Sequence, residues 1–190
     1  MDLTLLRIAV DLFAALVFLN AAAAKLRAPA TFEGQLDNYR LLPAWATAPS
    51  ARAIPIAEGL VGAGLVLTPF VVGRAALAAP VAAAALLAVF ASAMAINLGR
   101  GRTEIDCGCG DAEGRQPLRW ALVGRNLGIA AALLVGAMLA GARTGWLEAV
   151  EAGVSGLVAF ILYLTHERLS GLPSAGVRAT AAAPTYGPAQ

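Results

Sequence analysis

Charged side chains are scarce in this chain, 14% of its 190 residues against 59% hydrophobic, and the mean hydropathy is +0.72. A water-soluble domain carries about 25% charge, so that class is excluded. Histidine occurs once and cysteine twice, so the cysteines supply only half of a tetrahedral zinc site. There is no basic run, P-loop or dinucleotide-binding fingerprint, and a net charge of +2 gives no electrostatic basis for nucleic-acid binding. The apolar runs do not alternate with period two. They are rich in alanine, a helix former, which argues against a membrane β-barrel.

What remains is long apolar runs. A hydrocarbon core about 30 Å thick needs roughly 20 mostly apolar residues per helix. Five windows qualify: Leu5–Ala24, Ala53–Val72, Ala75–Leu98, Ala121–Ala140 and Leu147–Thr165, the last weakened by Glu148 and Glu151. The expectation is an all-α, polytopic transmembrane helix bundle in the lipid bilayer of the inner or plasma membrane. Residues 1–140 form its four core helices and residues 141–169 a fifth. Residues 170–190, rich in Ala, Pro, Gly, Ser and Thr without apolar periodicity, are expected to be a disordered tail. The first window is read as a retained helix and not as a signal peptide, because Arg7 is its only leading cation and Asp11 lies inside it. Arg7 and Asp11 are four apart and share a face, where they pair.

Between the first two windows, Phe32, Leu36 and Tyr39 fall at i, i+4 and i+7 among polar residues. That pattern predicts a short amphipathic helix at the interface, ended by Leu41-Leu42-Pro43, with Trp45 at headgroup level. Its expected role is to anchor and cover the bundle. In the second window Gly59 and Ala63 offer a small face for helix approach. Glu58 lies below the interface, where a carboxylate is expensive unless paired. Arg125, with Asn126 beside it, enters the membrane at a comparable depth from the same side and is the expected partner.

Both cysteines sit in Ile105-Asp106-Cys107-Gly108-Cys109-Gly110, inside a polar, glycine-rich loop spanning Gly99 to Arg119. Three readings compete. A metal site has only half its ligands here, since His166 lies far along the chain. Two small residues in a tight turn is the second reading, which the confinement of both cysteines to one polar loop disfavours. Thiol–disulfide exchange is the third and the one adopted. A disulfide between residues i and i+2 closes a small, strained ring, and strain makes a couple oxidising or exchange-prone. The pair Cys107 and Cys109 is thus the expected redox centre, supported by Asp106, Gly108, Gly110, Glu58, Arg125 and Asn126. No metal and no bound cofactor is expected; a quinone relay would need a second thiol pair that the chain lacks.

Lys25-Leu26, Tyr39-Arg40-Leu41-Leu42-Pro43, Pro55 with Glu58, Ile96-Asn97-Leu98, Arg100-Gly101-Arg102, the Asp106–Gly110 loop and Arg125-Asn126 together resemble the MauE family of methylamine utilisation membrane proteins, itself similar to DoxX membrane proteins. The likeness spans about residues 1–140. One departure is a missing aromatic: the family loop usually reads Cys-Gly-Cys-Phe-Gly, and here Gly110 follows Cys109 directly. The resemblance implies a four-helix membrane protein acting with a thioredoxin-like partner in maturation or export of the disulfide-rich small subunit of methylamine dehydrogenase. A non-catalytic scaffold for a redox partner is the alternative, so the sequence is compatible with an enzyme or with none.

Orientation divides the two lines of reasoning. Lys25, Arg27, Arg40, Arg52, Arg168 and Arg178 share the membrane side of the cysteine loop against Arg7, Arg74 and Arg143 on the other, which the positive-inside rule would read as a loop in the cytoplasm. A role in exported disulfides places the loop outside, where oxidised cysteines persist, and that is the orientation expected.

Overall fold

The computed structural model describes residues 3–71, 73–108, 117–138 and 145–171. Within them lie six helices: α1 (Leu3–Arg27), α2 (Pro29–Tyr39), α3 (Ala44–Leu67), α4 (Ala78–Gly99), α5 (Trp120–Met138) and α6 (Trp146–Gly171). Short 3-10 turns at Thr68–Phe70 and Gly73–Leu77 stand between α3 and α4. All helices except α2 are long and apolar enough to cross a membrane. The chain is thus an all-α bundle with five membrane-spanning helices. Cys109, Gly110 and the expected tail beyond residue 171 lie outside the described residues.

α1 is the hub, packing on α3, α5 and α6, while α4 pairs chiefly with α5. Its buried stripe, Arg7, Ile8, Asp11, Ala14, Ala15, Phe18, Ala22 and Lys25, repeats at three- and four-residue steps, the geometry of one helix face. Lipid tails are as apolar as leucine, so close packing and not the hydrophobic effect must hold these helices together. Alanine is prominent in the core accordingly: Ala14 and Ala15 of α1, Ala83 and Ala84 of α4 and Ala130 of α5 belong to one buried cluster with Phe18, Leu65, Leu87 and Leu133.

Two glycines set the closest approaches. A Cβ on Gly62 of α3 would lie 2.8 Å from Leu19 and 3.2 Å from the Ala15 carbonyl, and one on Gly156 of α6 would lie 2.9 Å from the Ala9 carbonyl. The expected Gly59/Ala63 face is not the one used. Ala63 is exposed, and a Cβ on Gly59 would only touch Ala22 at 4.0 Å. The closest contact with α1 moves three residues along, to Gly62.

α3 begins at Ala44, nine residues before the Ala53 expected from hydropathy. Trp45, Thr47, Ser50 and Arg52 dilute the apolar signal there without opposing helix. Pro43 caps the start in extended geometry (φ −67°, ψ 151°), and Pro49 and Pro55 lie inside the helix, as membrane helices tolerate. α2 forms where Phe32, Leu36 and Tyr39 predict it, with Pro29 in its first turn. Arg40 ends it in the left-handed region (φ 50°, ψ 40°), its N–H returning to the Asp37 carbonyl.

At the end of the bundle away from α2, Arg7 and Asp11 pair at 3.6 Å, both buried. Asp11 also accepts from Thr68 Oγ1 at 3.0 Å. Gly136 of α5 makes room for the arginine stem, since a Cβ there would sit 3.3 Å from Arg7 Cγ. This is the packed ion pair that the i, i+4 spacing predicts.

Candidate functional site

The residues following α4 fold back onto α2. Gly101 reverses the chain at φ 73°, and Arg102 then inserts between the two helix ends. Its Nη1 donates to Asn97 Oδ1 at 2.9 Å and to the Tyr39 carbonyl at 3.3 Å, and its Nη2 donates to the Asn38 carbonyl at 2.7 Å. Asn97 is fully buried and spends its amide on the Ala93 carbonyl at 3.1 Å. A buried asparagine in the last turn of α4 and a loop arginine thereby fix where the loop starts. The loop is closed at its base as well: Leu118 N–H donates to the carbonyls of Thr103 and Ile105, and Asp106 pairs with Pro117 in an isolated bridge.

Cys107 follows this closure directly and is 7% exposed. It packs with Tyr39, Met94, Leu118 and Leu122, and the Tyr39 hydroxyl donates to its carbonyl at 3.1 Å. Asp106 accepts from Gln35 Nε2 at 3.2 Å and from the Gly108 N–H at 3.4 Å. Gly108 holds φ 67°, and a Cβ on it would meet Gln35 Oε1 at 3.1 Å, so glycine is needed both for the backbone sign and for the approach of α2. The amphipathic helix therefore does more than cover the bundle. Phe32, Gln35 and Tyr39 lie on one face at i, i+3 and i+7, and that face grips the cysteine loop.

Glu58, 1% exposed, is not paired with Arg125 as expected. Lys25 Nζ bonds both its oxygens, at 2.6 and 2.9 Å, and lies over the rings of Phe32 at 5.3 Å and Phe90 at 5.8 Å. Arg125 turns to α6, pairing with Glu167 at 2.9 Å and lying over the Tyr163 ring at 5.5 Å; Asn126 Oδ1 accepts from it at 3.4 Å. The physical reason is helix adjacency: α3 lies against α1, so its carboxylate takes the α1 cation. A signal was available, because Lys25 is the only lysine in the chain and ends α1 on the membrane side where α3 begins.

These residues surround a cavity of about 330 Å³. Lys25, Glu58, Cys107, Gly108, Arg125 and Asn126 all border it, within a wall that is otherwise aliphatic and aromatic except for Gln35 and Ser50. Six of the expected site residues, Glu58, Asp106, Cys107, Gly108, Arg125 and Asn126, are described; all except Asp106 border this one cavity, and Asp106 adjoins it through the backbone of Cys107. Among the described residues no three His, Cys, Asp or Glu side chains cluster as metal ligands. Chemically, the arrangement is a cysteine at the wall of a largely apolar chamber whose charged side chains are matched in pairs.

The family model described as methylamine utilisation protein MauE matches residues 3–142, which span α1 to α5. The chain is 44% identical over 169 residues to methylamine utilization protein MauE of Paracoccus denitrificans, covering 88% of each. It is 42% identical over 164 residues to the protein of the same name from Paracoccus versutus, covering 85% of this chain and 86% of the relative. A third, from Methylorubrum extorquens, is 40% identical over 127 residues, 63% of this chain and 62% of the relative. No solved structure matches the chain.

Proposed function

The chain belongs to the MauE family of methylamine utilisation proteins, and from that membership we propose that it is an inner-membrane thiol–disulfide accessory for an exported, disulfide-containing protein. The substrate is of the kind exemplified by the small subunit of methylamine dehydrogenase, and a thioredoxin-like protein is the partner that carries equivalents between them. Exchange balances within the two couples. A thiolate of the thioredoxin-like partner attacks one sulfur of the Cys107–Cys109 disulfide, the partner's second thiolate resolves the mixed disulfide, and the pair is left as two thiols; the partner's new disulfide then passes to two substrate thiols by the same exchange. The observation that carries this reading is the grip of α2 on the loop: Tyr39 on Cys107, Gln35 on Asp106 and Gln35 against Gly108. A loop of merely connecting function needs no such positioning.

A second reading, a non-catalytic scaffold for a thioredoxin-like or respiratory redox partner, has its own support. Cys107 is 7% exposed, and buried cysteines are usually inert. Alkylation trapping in membranes under graded redox buffers separates the two. Exchange expects both thiols to change state together, and Cys107→Ser and Cys109→Ser to abolish maturation of the exported protein. Thiols that stay reduced throughout, with both variants fully active, leave the scaffold reading standing.

A further inference from the structure

The cavity beside Cys107 is built for more than a disulfide. Its two cations are already matched, Lys25 by Glu58 at 2.6 Å and Arg125 by Glu167 at 2.9 Å. An anionic ligand gains no uncompensated charge there, whereas a neutral molecule with carbonyl acceptors leaves both pairs intact. An ammonium has three N–H donors, and the two bonds to Glu58 use two of them, so one serves a further acceptor. Phe32, Tyr39, Phe90 and Tyr163 contribute aromatic rings to the wall, which suits a planar ring. The wall also includes Val89, 61% exposed on the outward side of α4, so the cavity reaches the surface that faces lipid. Its volume of about 330 Å³ falls within the range of small-molecule sites, roughly 300–1,000 Å³.

We propose that this cavity takes the ring of a membrane-dissolved quinone, which is the oxidant that restores the Cys107–Cys109 disulfide. The inference rests on the thiol–disulfide reading above. The two thiols lose two electrons and two protons as the S–S bond forms, and the quinone gains both, one proton on each carbonyl oxygen, to leave as quinol. No second thiol pair is then needed, because the acceptor comes to the wall of which Cys107 is part.

The test uses the full chain in lipid nanodiscs, reduced, freed of reductant and given decylubiquinone without oxygen. The expected result is one quinol formed for each pair of thiols lost. Ala93→Phe, which fills the cavity from α4, slows this by roughly tenfold or more as ring contacts are lost, while Val154→Phe, on the exposed side of α6, leaves the rate unchanged. An azido-benzoquinone photolabel on Cys107→Ser/Cys109→Ser protein reads binding without chemistry and is expected on α2 and α4. Absence of both label and quinol, with the thiols still oxidised by an aqueous disulfide, overturns the quinone site and spares the exchange reading. Thiols that resist both oxidants overturn the exchange reading, and the quinone's role falls with it. A photoactivatable phospholipid chain that labels the cavity and is not displaced by quinone assigns the space to lipid and also overturns the proposal.

Discussion

Lys25 Nζ lies between 2.6 and 2.9 Å from the two carboxylate oxygens of Glu58, and the two side chains are 9% and 2% exposed. In an apolar surround an ion pair of this kind is worth little against well-packed apolar residues, yet removing one partner strands the other charge.

Lys25→Met or Glu58→Gln alone is therefore expected to destabilise the purified protein by about 3–5 kcal/mol. The double variant Lys25→Met/Glu58→Met should recover most of that loss. Thermal unfolding in detergent measures both. Single variants as stable as the wild type would mean that the pair is not closed in the membrane.

Tyr39→Phe removes the donor to the Cys107 carbonyl while keeping the ring in the cluster with Met94 and Leu122. A neutral hydrogen bond contributes about 1 kcal/mol, so local opening of the loop should rise roughly fivefold. The alkylation rate of Cys107 in reduced protein should increase by that factor with little change in global unfolding. Unchanged alkylation would show that α2 does not gate the thiol.

Gly156→Ala is expected to pull α6 off α1, because the added Cβ would stand 2.9 Å from a backbone carbonyl, that of Ala9, and 3.2 Å from the Phe13 nitrogen. Neither atom can rotate away. Overpacking of this kind costs about 1–3 kcal/mol, and it should also separate Glu167 from Arg125, 2.9 Å apart in the intact bundle. Gly128→Ala, whose new Cβ would meet nothing within 4 Å, should be silent. Protease sensitivity of α6 and the unfolding midpoint compare the two.

Much of this was legible in the sequence, and the division follows what a linear pattern encodes. Length and hydropathy located all five spans, and the Phe32, Leu36, Tyr39 spacing located α2. Depth was legible too: Glu58 and Arg125 do border one cavity. Which helix faces which was not, because an azimuth depends on packing steps such as Gly62 against Ala15 that hydropathy does not record. Hence sequence depth alone pairs Glu58 with Arg125, whereas α1 supplies Lys25 to Glu58 and α6 supplies Glu167 to Arg125. Arg102 was legible as loop charge but not as the bolt between α4 and α2, since its acceptors are mostly backbone carbonyls, which leave no trace in side-chain identity.

Orientation follows from the proposed chemistry and runs against the count of cations. The end of the bundle that holds the cysteine loop also holds Lys25, Arg102 and Arg125, but these three are bound to Glu58, to Asn97 with α2 carbonyls, and to Glu167. Charges committed to the fold report on packing as well as on topology, which weakens the positive-inside argument. Exchange with an exported protein requires the loop outside, where disulfides persist. Because Cys107 is buried, the measurement should use reporters at the two ends in a Cys107→Ser/Cys109→Ser background: Arg100→Cys, at the exposed end of α4, and Trp146→Cys, 74% exposed at the start of α6. A membrane-impermeant maleimide added to intact cells is expected to label the first and to reach the second only after lysis. The reverse pattern would restore the positive-inside orientation and remove exported proteins from the substrates that this loop can meet.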